Sequence, residues 1–94
     1  MAEVKMYVIR INVAEVATFI MDGSMDSKVD KVMELKGFEA VNLNGLGPEY
    51  NLLIFDTEDN RDNAFDTIKE VFKTAEIVQA PCYVDEMYLQ EHLI

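Results

Sequence analysis

The sequence predicts an α+β fold in which helices cover one face of a four-stranded antiparallel sheet. Four short runs are rich in β-branched and aromatic residues, as strands are. Two stretches repeat apolar residues at helical spacing. Their order along the 94 residues is β-α-β-β-α-β, which is typical of a ferredoxin-like sandwich. The length fits a single domain over residues 1–94 with a short C-terminal extension.

The first half of the chain is predicted to form a central strand followed by a helical region. Residues 4–11 are apolar on both faces, as a central strand would be. A helix over about residues 13–22 is predicted by one apolar stripe: Val13, Val16, Ala17, Ile20 and Met21. Asn12 and Glu15 have the spacing of a capping box. Beyond Gly23 the helical pattern continues to Gly37, so residues 13–36 form either two helices or one broken helix.

The second half is predicted to contain three strands and one long helix. Residues 38–43 and Tyr50–Phe55 are strands joined by a turn rich in glycine, and the second is apolar on both faces. Asp56 and Thr57 offer caps for an amphipathic helix with this stripe: Ala64, Phe65, Ile68, Val71, Phe72 and Ala75. The last strand covers residues 76–84, and Pro81 requires an edge position or a bulge. After Asp85, a short helix and a further strand are the alternatives.

The element order places the first and third strands in the centre of the sheet and the second and fourth at its edges. Helices would then leave one apolar sheet face exposed. That face would present Met6 and Val8 together with alternate residues of the third strand. These are either Leu53 and Phe55 or Leu52 and Ile54, and we predict Leu53 and Phe55. Either the C-terminal tail or a second copy would cover it, and a homodimer is the favoured expectation.

The composition is acidic, with 8 Lys and Arg against 18 Asp and Glu, for a net charge of −10. Almost all of the excess lies in residues 37–60 and 74–94, which contain no Lys or Arg. Direct binding of nucleic acid or of an anionic membrane surface is therefore not expected. No apolar run is long enough to span a bilayer, and one cysteine fits a reducing, cytoplasmic compartment.

The sequence offers little catalytic chemistry. Cys82 and His92 are the only cysteine and histidine, so a structural zinc site is excluded, and we expect no metal and no cofactor. A carboxylate-dependent enzyme is the third hypothesis, and its candidate residues are Asp22, Asp26, Tyr83 and Tyr88.

Two families are similar to this chain in element order. The first strand, with Met6-Tyr7-Val8-Ile9, resembles that of the small nuclease of CRISPR adaptation. That family carries an aspartate where this chain has Asn12, and it is basic, so both departures exclude it. Similarity to ACT-type regulatory domains rests on element order alone. It implies a dimeric, small-molecule-binding domain with its ligand near residues 42–50 or at a dimer seam, and this is the second hypothesis.

The first hypothesis is a non-enzymatic interaction protein that binds a basic protein surface. Its acidic side chains would occupy a groove that normally holds nucleic acid, as small acidic inhibitors encoded by phages do. The predicted contact residues are Glu39, Glu49, Glu58, Asp59, Glu76, Asp85, Glu86 and Glu91.

Overall fold

The computed structural model describes residues 3–42 and 50–85 of the chain. The strands are β1 (Glu3–Asn12), β2 (Phe38–Asn42), β3 (Tyr50–Phe55) and β4 (Glu76–Asp85). The helices are α1 (Val13–Asp22), α2 (Met25–Met33) and α3 (Glu58–Val71). The α+β class and the four-stranded antiparallel sheet are therefore confirmed. The predicted turn at residues 44–48 and the alternatives for the tail lie outside the described residues.

The strands of the sheet follow the order β2-β3-β1-β4. Each neighbouring pair is antiparallel. The two strands that are apolar on both faces, β1 and β3, lie in the centre as predicted, because only central strands bury both faces over their whole length.

Both edge strands depart from regular pairing with their neighbours. On β4 the register shifts between Met6, which pairs with Cys82, and Val8, which pairs with Val78. Pro81 lies in this irregular stretch, so β4 is both an edge strand and bulged, as proline requires. On β2 the register shifts between Phe38 and Ala40, and Glu39 is the extra residue.

Residues 13–36 form two helices rather than one. Gly23 ends α1 with a φ of +81°, in the left-handed region. Its N–H donates to the Ile20 carbonyl at 3.3 Å, and the Ser24 N–H donates to the Phe19 carbonyl at 3.0 Å. This pair of bonds is a Schellman motif, which satisfies the last carbonyls of a helix and redirects the chain.

The main core lies between the sheet and the three helices. Its buried residues come from β1 and β3, from each helix, and from the turn after α3: Ile9, Ile11, Val16, Val32, Leu53, Phe55, Ala64, Ile68, Phe72 and Ala75. All three helices therefore pack on the same face of the sheet. Phe72, predicted as part of the last helix, instead ends it with a non-helical backbone and a fully buried ring.

The opposite face of the sheet is buried, and the prediction that it is exposed is wrong. Met6, Val8, Leu52 and Ile54 form a second cluster there, and none is more than 6% exposed within one copy of the chain. Burial inside a single copy removes the reason for which a homodimer was expected, since a second copy is not required to cover these residues.

Leu53 and Phe55 do not share this face, so their assignment to an interface with Met6 and Val8 is also wrong. In the β1–β3 ladder, Val8 pairs with Ile54 and Ile9 pairs with Leu53. Residues that pair directly project to the same side of a sheet. Leu53 therefore lies on the helix side with Ile9, and Phe55 joins the same core.

Candidate interaction surface

Helix α1 is apolar on two sides, of which only one faces the core. Val16 is buried in the core, and the Phe19 ring packs against the Phe72 ring with 5.8 Å between ring centres. The other side carries Ile20 and Met21, which are 58% and 88% exposed. We call the exposed side the α1 ridge, and it consists of Val13, Ala17, Ile20 and Met21.

The predicted stripe on this helix therefore points largely away from the core. Of its five residues, Val16 alone is buried. Phe19, which lies outside the stripe, packs against the core instead. The sequence contained a signal for this surface, because α1 has only two charged residues in ten and more apolar residues than one core face needs.

Glu15 fixes the rotation of α1 about its axis. Its carboxylate accepts hydrogen bonds from the Lys73 N–H at 2.7 Å, the Thr74 N–H at 2.9 Å and the Thr74 hydroxyl at 2.6 Å. Burial tends to raise the pKa of Glu15, but these hydrogen bonds outweigh it and the pKa is lowered. Asn12 caps α1 by accepting from the Ala14 N–H at 2.8 Å. Glu15 thus joins α1 to the turn after α3 and does not complete the predicted capping box.

A groove of about 460 Å³ adjoins the α1 ridge. Its walls come from α1, from α2 and from edge strand β2, with these lining residues: Val16, Ile20, Gly23, Met25, Asp26, Val29 and Val41. Ile20 belongs to both the ridge and the groove, so the two form one continuous apolar surface. Among the described residues that line it, five have aliphatic or Met side chains, and Asp26 is the one that is charged.

One carboxylate, that of Asp22, and one amine, that of Lys28, lie close to each other next to the groove residue Gly23. Asp22, which precedes Gly23, accepts hydrogen bonds from the Ser24 hydroxyl at 2.5 Å and from the Ser24 N–H at 2.9 Å. These bonds lower the pKa of Asp22, so its carboxylate stays ionised. The amine of Lys28 lies 4.2 Å from the centre of the Phe19 ring.

The predicted acidic contact residues do not gather on one face among the described residues. Glu39 is half-buried on edge strand β2, and Glu58 and Asp59 are exposed at the start of α3. Glu76 begins the opposite edge strand, β4, where its carboxylate lies 2.9 Å from the Arg10 guanidinium. That contact lowers the pKa of Glu76. Of the other four, Glu49, Glu86 and Glu91 lie outside the described residues, and Asp85 is described only as part of strand β4.

Glu39 is held in an unfavourable electrostatic position. Burial at the bulge of β2 raises its pKa, and the nearby carboxylate of Asp56 raises it further. A raised pKa means that the folded protein disfavours the ionised form, so Glu39 lowers stability at neutral pH.

We therefore expect Glu39→Gln to increase the free energy of unfolding at about pH 7, by less than about 1 kcal/mol because solvent screens a half-buried carboxylate. Wild type should lose stability relative to the variant as the pH rises through the raised pKa, and the difference should vanish near pH 3, where Glu39 is protonated. Urea unfolding from about pH 3 to about pH 7 measures this difference in the free energy of unfolding. Glu58→Gln, which removes the same charge from an exposed site on α3, is the control. A Glu39→Gln variant less stable than wild type at neutral pH would contradict the assignment.

The residues proposed for catalysis are only partly brought together. Asp26 lines the groove and Asp22 directly precedes its lining residue Gly23, whereas Tyr83 is an exposed residue of edge strand β4. Tyr88 and His92 lie outside the described residues, and Cys82 is described only through its backbone pairing with Met6. Within residues 3–42 and 50–85, no three His, Cys, Asp or Glu residues are grouped so that they could hold a metal ion.

Comparison with known proteins adds no assignment. No family model matches the chain, no curated protein matches its sequence, and no solved structure matches its fold. In the described part of the chain, every helix is too short or too polar to cross a bilayer.

Proposed function

We propose that this protein is a small, non-enzymatic interaction protein that binds a basic surface of another protein. The observation that carries the proposal is the exposed α1 ridge, where Ile20 and Met21 face solvent beside an apolar groove. Contiguous apolar surface that solvent can reach is typical of protein–protein contact sites. The net charge of −10 supports a basic partner, because opposite charge accelerates encounter and suppresses wrong partners.

The electrostatic cost at Glu39 further supports this proposal. A half-buried carboxylate beside Asp56 lowers the stability of the free protein, and a cationic group of a partner would relieve that repulsion. Glu39 lies on β2 two residues before Val41, which lines the groove. In this form of the proposal the apolar surface supplies affinity and the acids around it supply selectivity. Mimicry of a nucleic acid would need the acids on one face, and the described acids at opposite sheet edges do not favour it.

We further propose that the architecture is a ferredoxin-like sandwich in which the first crossover helix is divided in two at Gly23. The strand order and the packing of all helices on one face support this assignment. The division also forms the groove, since α1 and α2 supply its two helical walls.

A site-specific photo-crosslink tests the proposed function. We expect the protein carrying p-benzoylphenylalanine in place of Met21 to form one discrete adduct with a basic protein in extracts of its natural host. The same group in place of Thr67, an exposed residue of α3, should give no such adduct. The yield should fall several-fold between low and moderate salt, as expected for charge-steered association. Equal labelling from both positions, or a yield independent of salt, would contradict the proposal.

A small-molecule-binding domain is the second candidate, and the volume of the groove favours it. About 460 Å³ lies within the range of ligand pockets. The groove's lining residue Val41 directly precedes the segment 42–50 where the ligand was predicted, and residues 43–49 lie outside the described residues. If the protein is an interaction protein, a thermal-shift screen with amino acids and nucleotides should show no increase in melting temperature. A ligand that raises the melting temperature in a dose-dependent way would favour the small-molecule alternative.

A further inference from the structure

The chemistry of the groove limits what can occupy it. Among the described lining residues, every side chain apart from Asp26 is aliphatic or Met, so an occupant buries apolar groups there and can place one cationic group near Asp26. Met21 on the ridge and Met25 in the groove are unbranched and flexible, and such side chains are over-used at binding surfaces that adapt to their partners.

We propose that the groove and the α1 ridge receive one amphipathic helix of a basic partner protein. This inference rests on the proposed function and names its occupant. The partner helix would carry apolar residues at positions i, i+3 or i+4, and i+7, which insert between α1 and α2. A Lys or Arg beside that stripe would face Asp26.

Strand addition is a poorer mode of binding for this chain. Edge strand β2 has five residues and a register shift at Glu39. Edge strand β4 is irregular around Pro81, which cannot donate a ladder hydrogen bond. Short and bulged edges are the devices that prevent pairing with another strand. Within residues 13–42, the surface between α1 and α2 contains no proline and no strand bulge other than the one at Glu39.

A second copy of this chain is also a poor occupant. Helix α1, the most apolar exposed helix, has acidic residues at Glu15 and Asp22 and no basic residue. A second α1 would therefore bring no cation to Asp26, and each copy carries a charge of −10 that opposes association. The lining residue Asp26 and the net charge of the chain thus favour a basic helix over a copy of the same chain.

Two synthetic peptides of equal composition test the proposal. Each has about 18 residues, because shorter peptides form only marginally stable helices in water. In the first, Leu and Lys follow the helical pattern; in the second, they alternate and favour a strand. We expect fluorescence anisotropy to show that the helical peptide binds the full-length protein at least about tenfold more tightly than its isomer. A helical peptide with Glu in place of Lys should not bind.

Variants of the protein locate the binding site. Ile20→Asp and Met21→Asp should each weaken binding of the helical peptide by about tenfold, because a charge replaces an apolar contact. Both changes make the protein more acidic, so binding through charge alone would instead be unchanged or stronger. Thr67→Asp adds the same charge on α3 and should have no effect. Ile20 and Met21 are exposed, and thermal unfolding checks that each variant folds.

The possible failures of the two proposals differ. The proposal of a helical occupant is overturned if the protein binds both peptides with equal affinity. It is also overturned if the helical peptide binds wild type and both ridge variants equally well. If the crosslink at position 21 still forms under those conditions, the proposed interaction function stands without a helical partner. If neither the peptide nor the crosslink gives a signal, both are overturned. A peptide that binds only while promoting dimers of the chain overturns the argument against a second copy.

Discussion

Gly37→Ala should lower the free energy of unfolding by about 3 kcal/mol, from a left-handed backbone penalty plus a steric clash. Gly37 has a φ of +84°, in the left-handed region. A Cβ added at Gly37 would lie 2.6 Å from the Cβ of Asn60 and would also overlap the Asp56 carboxylate. These atoms cannot move freely, because the Asn60 amide donates to the Asp56 carboxylate at 2.8 Å and the Asp56 N–H donates to the Gly37 carbonyl at 2.9 Å.

Gly23→Ala is the matched control for this prediction. Gly23 has a similar φ of +81°, but a Cβ there would meet no atom within 4 Å. It should therefore cost only the backbone penalty, about 1–2 kcal/mol. Urea unfolding of the two variants separates the conformational cost from the steric one. Equal losses of stability in the two variants would show that a clash with Asp56 and Asn60 adds nothing to the cost of Gly37→Ala.

Arg61→Ala should lower the free energy of unfolding by about 2–3 kcal/mol, since a buried, charge-assisted hydrogen bond and the packing of the side chain are both lost. The Arg61 side chain is only 5% exposed. It donates to the Val78 carbonyl at 3.0 Å and lies 5.7 Å from the centre of the Tyr7 ring. Val78 borders the irregular part of β4, so Arg61 supports the carbonyl at the point where regular pairing stops.

Asp62→Asn provides the control for Arg61. Two nitrogens of Arg61 donate to one Asp62 oxygen, at 3.0 and 2.8 Å. The Asp62 side chain is 49% exposed, so this ion pair should be worth less than about 1 kcal/mol. Arg61→Lys, which keeps the charge but loses the planar donor group, should lie between the two. An Arg61→Ala variant as stable as Asp62→Asn would contradict a supporting role at β4. Chemical denaturation of all three variants provides the measurement.

Arg61 also shows where pattern analysis of the sequence ends. It precedes Ala64 by three residues and Ile68 by seven, so its position is on the buried stripe of α3, although its residue type suggests solvent. The predicted stripe began at Ala64 and did not include Arg61, although its spacing is compatible with burial. What a buried guanidinium contacts depends on β4 and Tyr7, which are distant in sequence. The predicted caps show the same division. Asn12 and Thr57 cap their helices as local spacing indicates, whereas Glu15 binds a turn 58 residues away.

The candidate site could be predicted only in part. The apolar stripe of α1 was visible in the sequence, as were the acids near it, but a helix with two apolar sides does not indicate which side faces the core. Glu15 and Phe19 decide this through Thr74 and Phe72. The acidic residues proposed as contacts were chosen by charge alone, and those that are described are divided between the two edge strands and the start of α3.

Four features could be predicted without the structure: the α+β class, the central positions of β1 and β3, the irregularity at Pro81 and the acidic charge. These follow from local periodicity, from the chemistry of proline and from composition, none of which requires a distant contact. The folded arrangement was needed to show that Leu52 and Ile54 share a face with Val8 and that this face is buried. It was also needed to show that α1 leaves Ile20 and Met21 in solvent. A strand or helix that is apolar on more than one side can bury either side equally well as far as its own sequence indicates. Register and packing against remote residues then select one orientation.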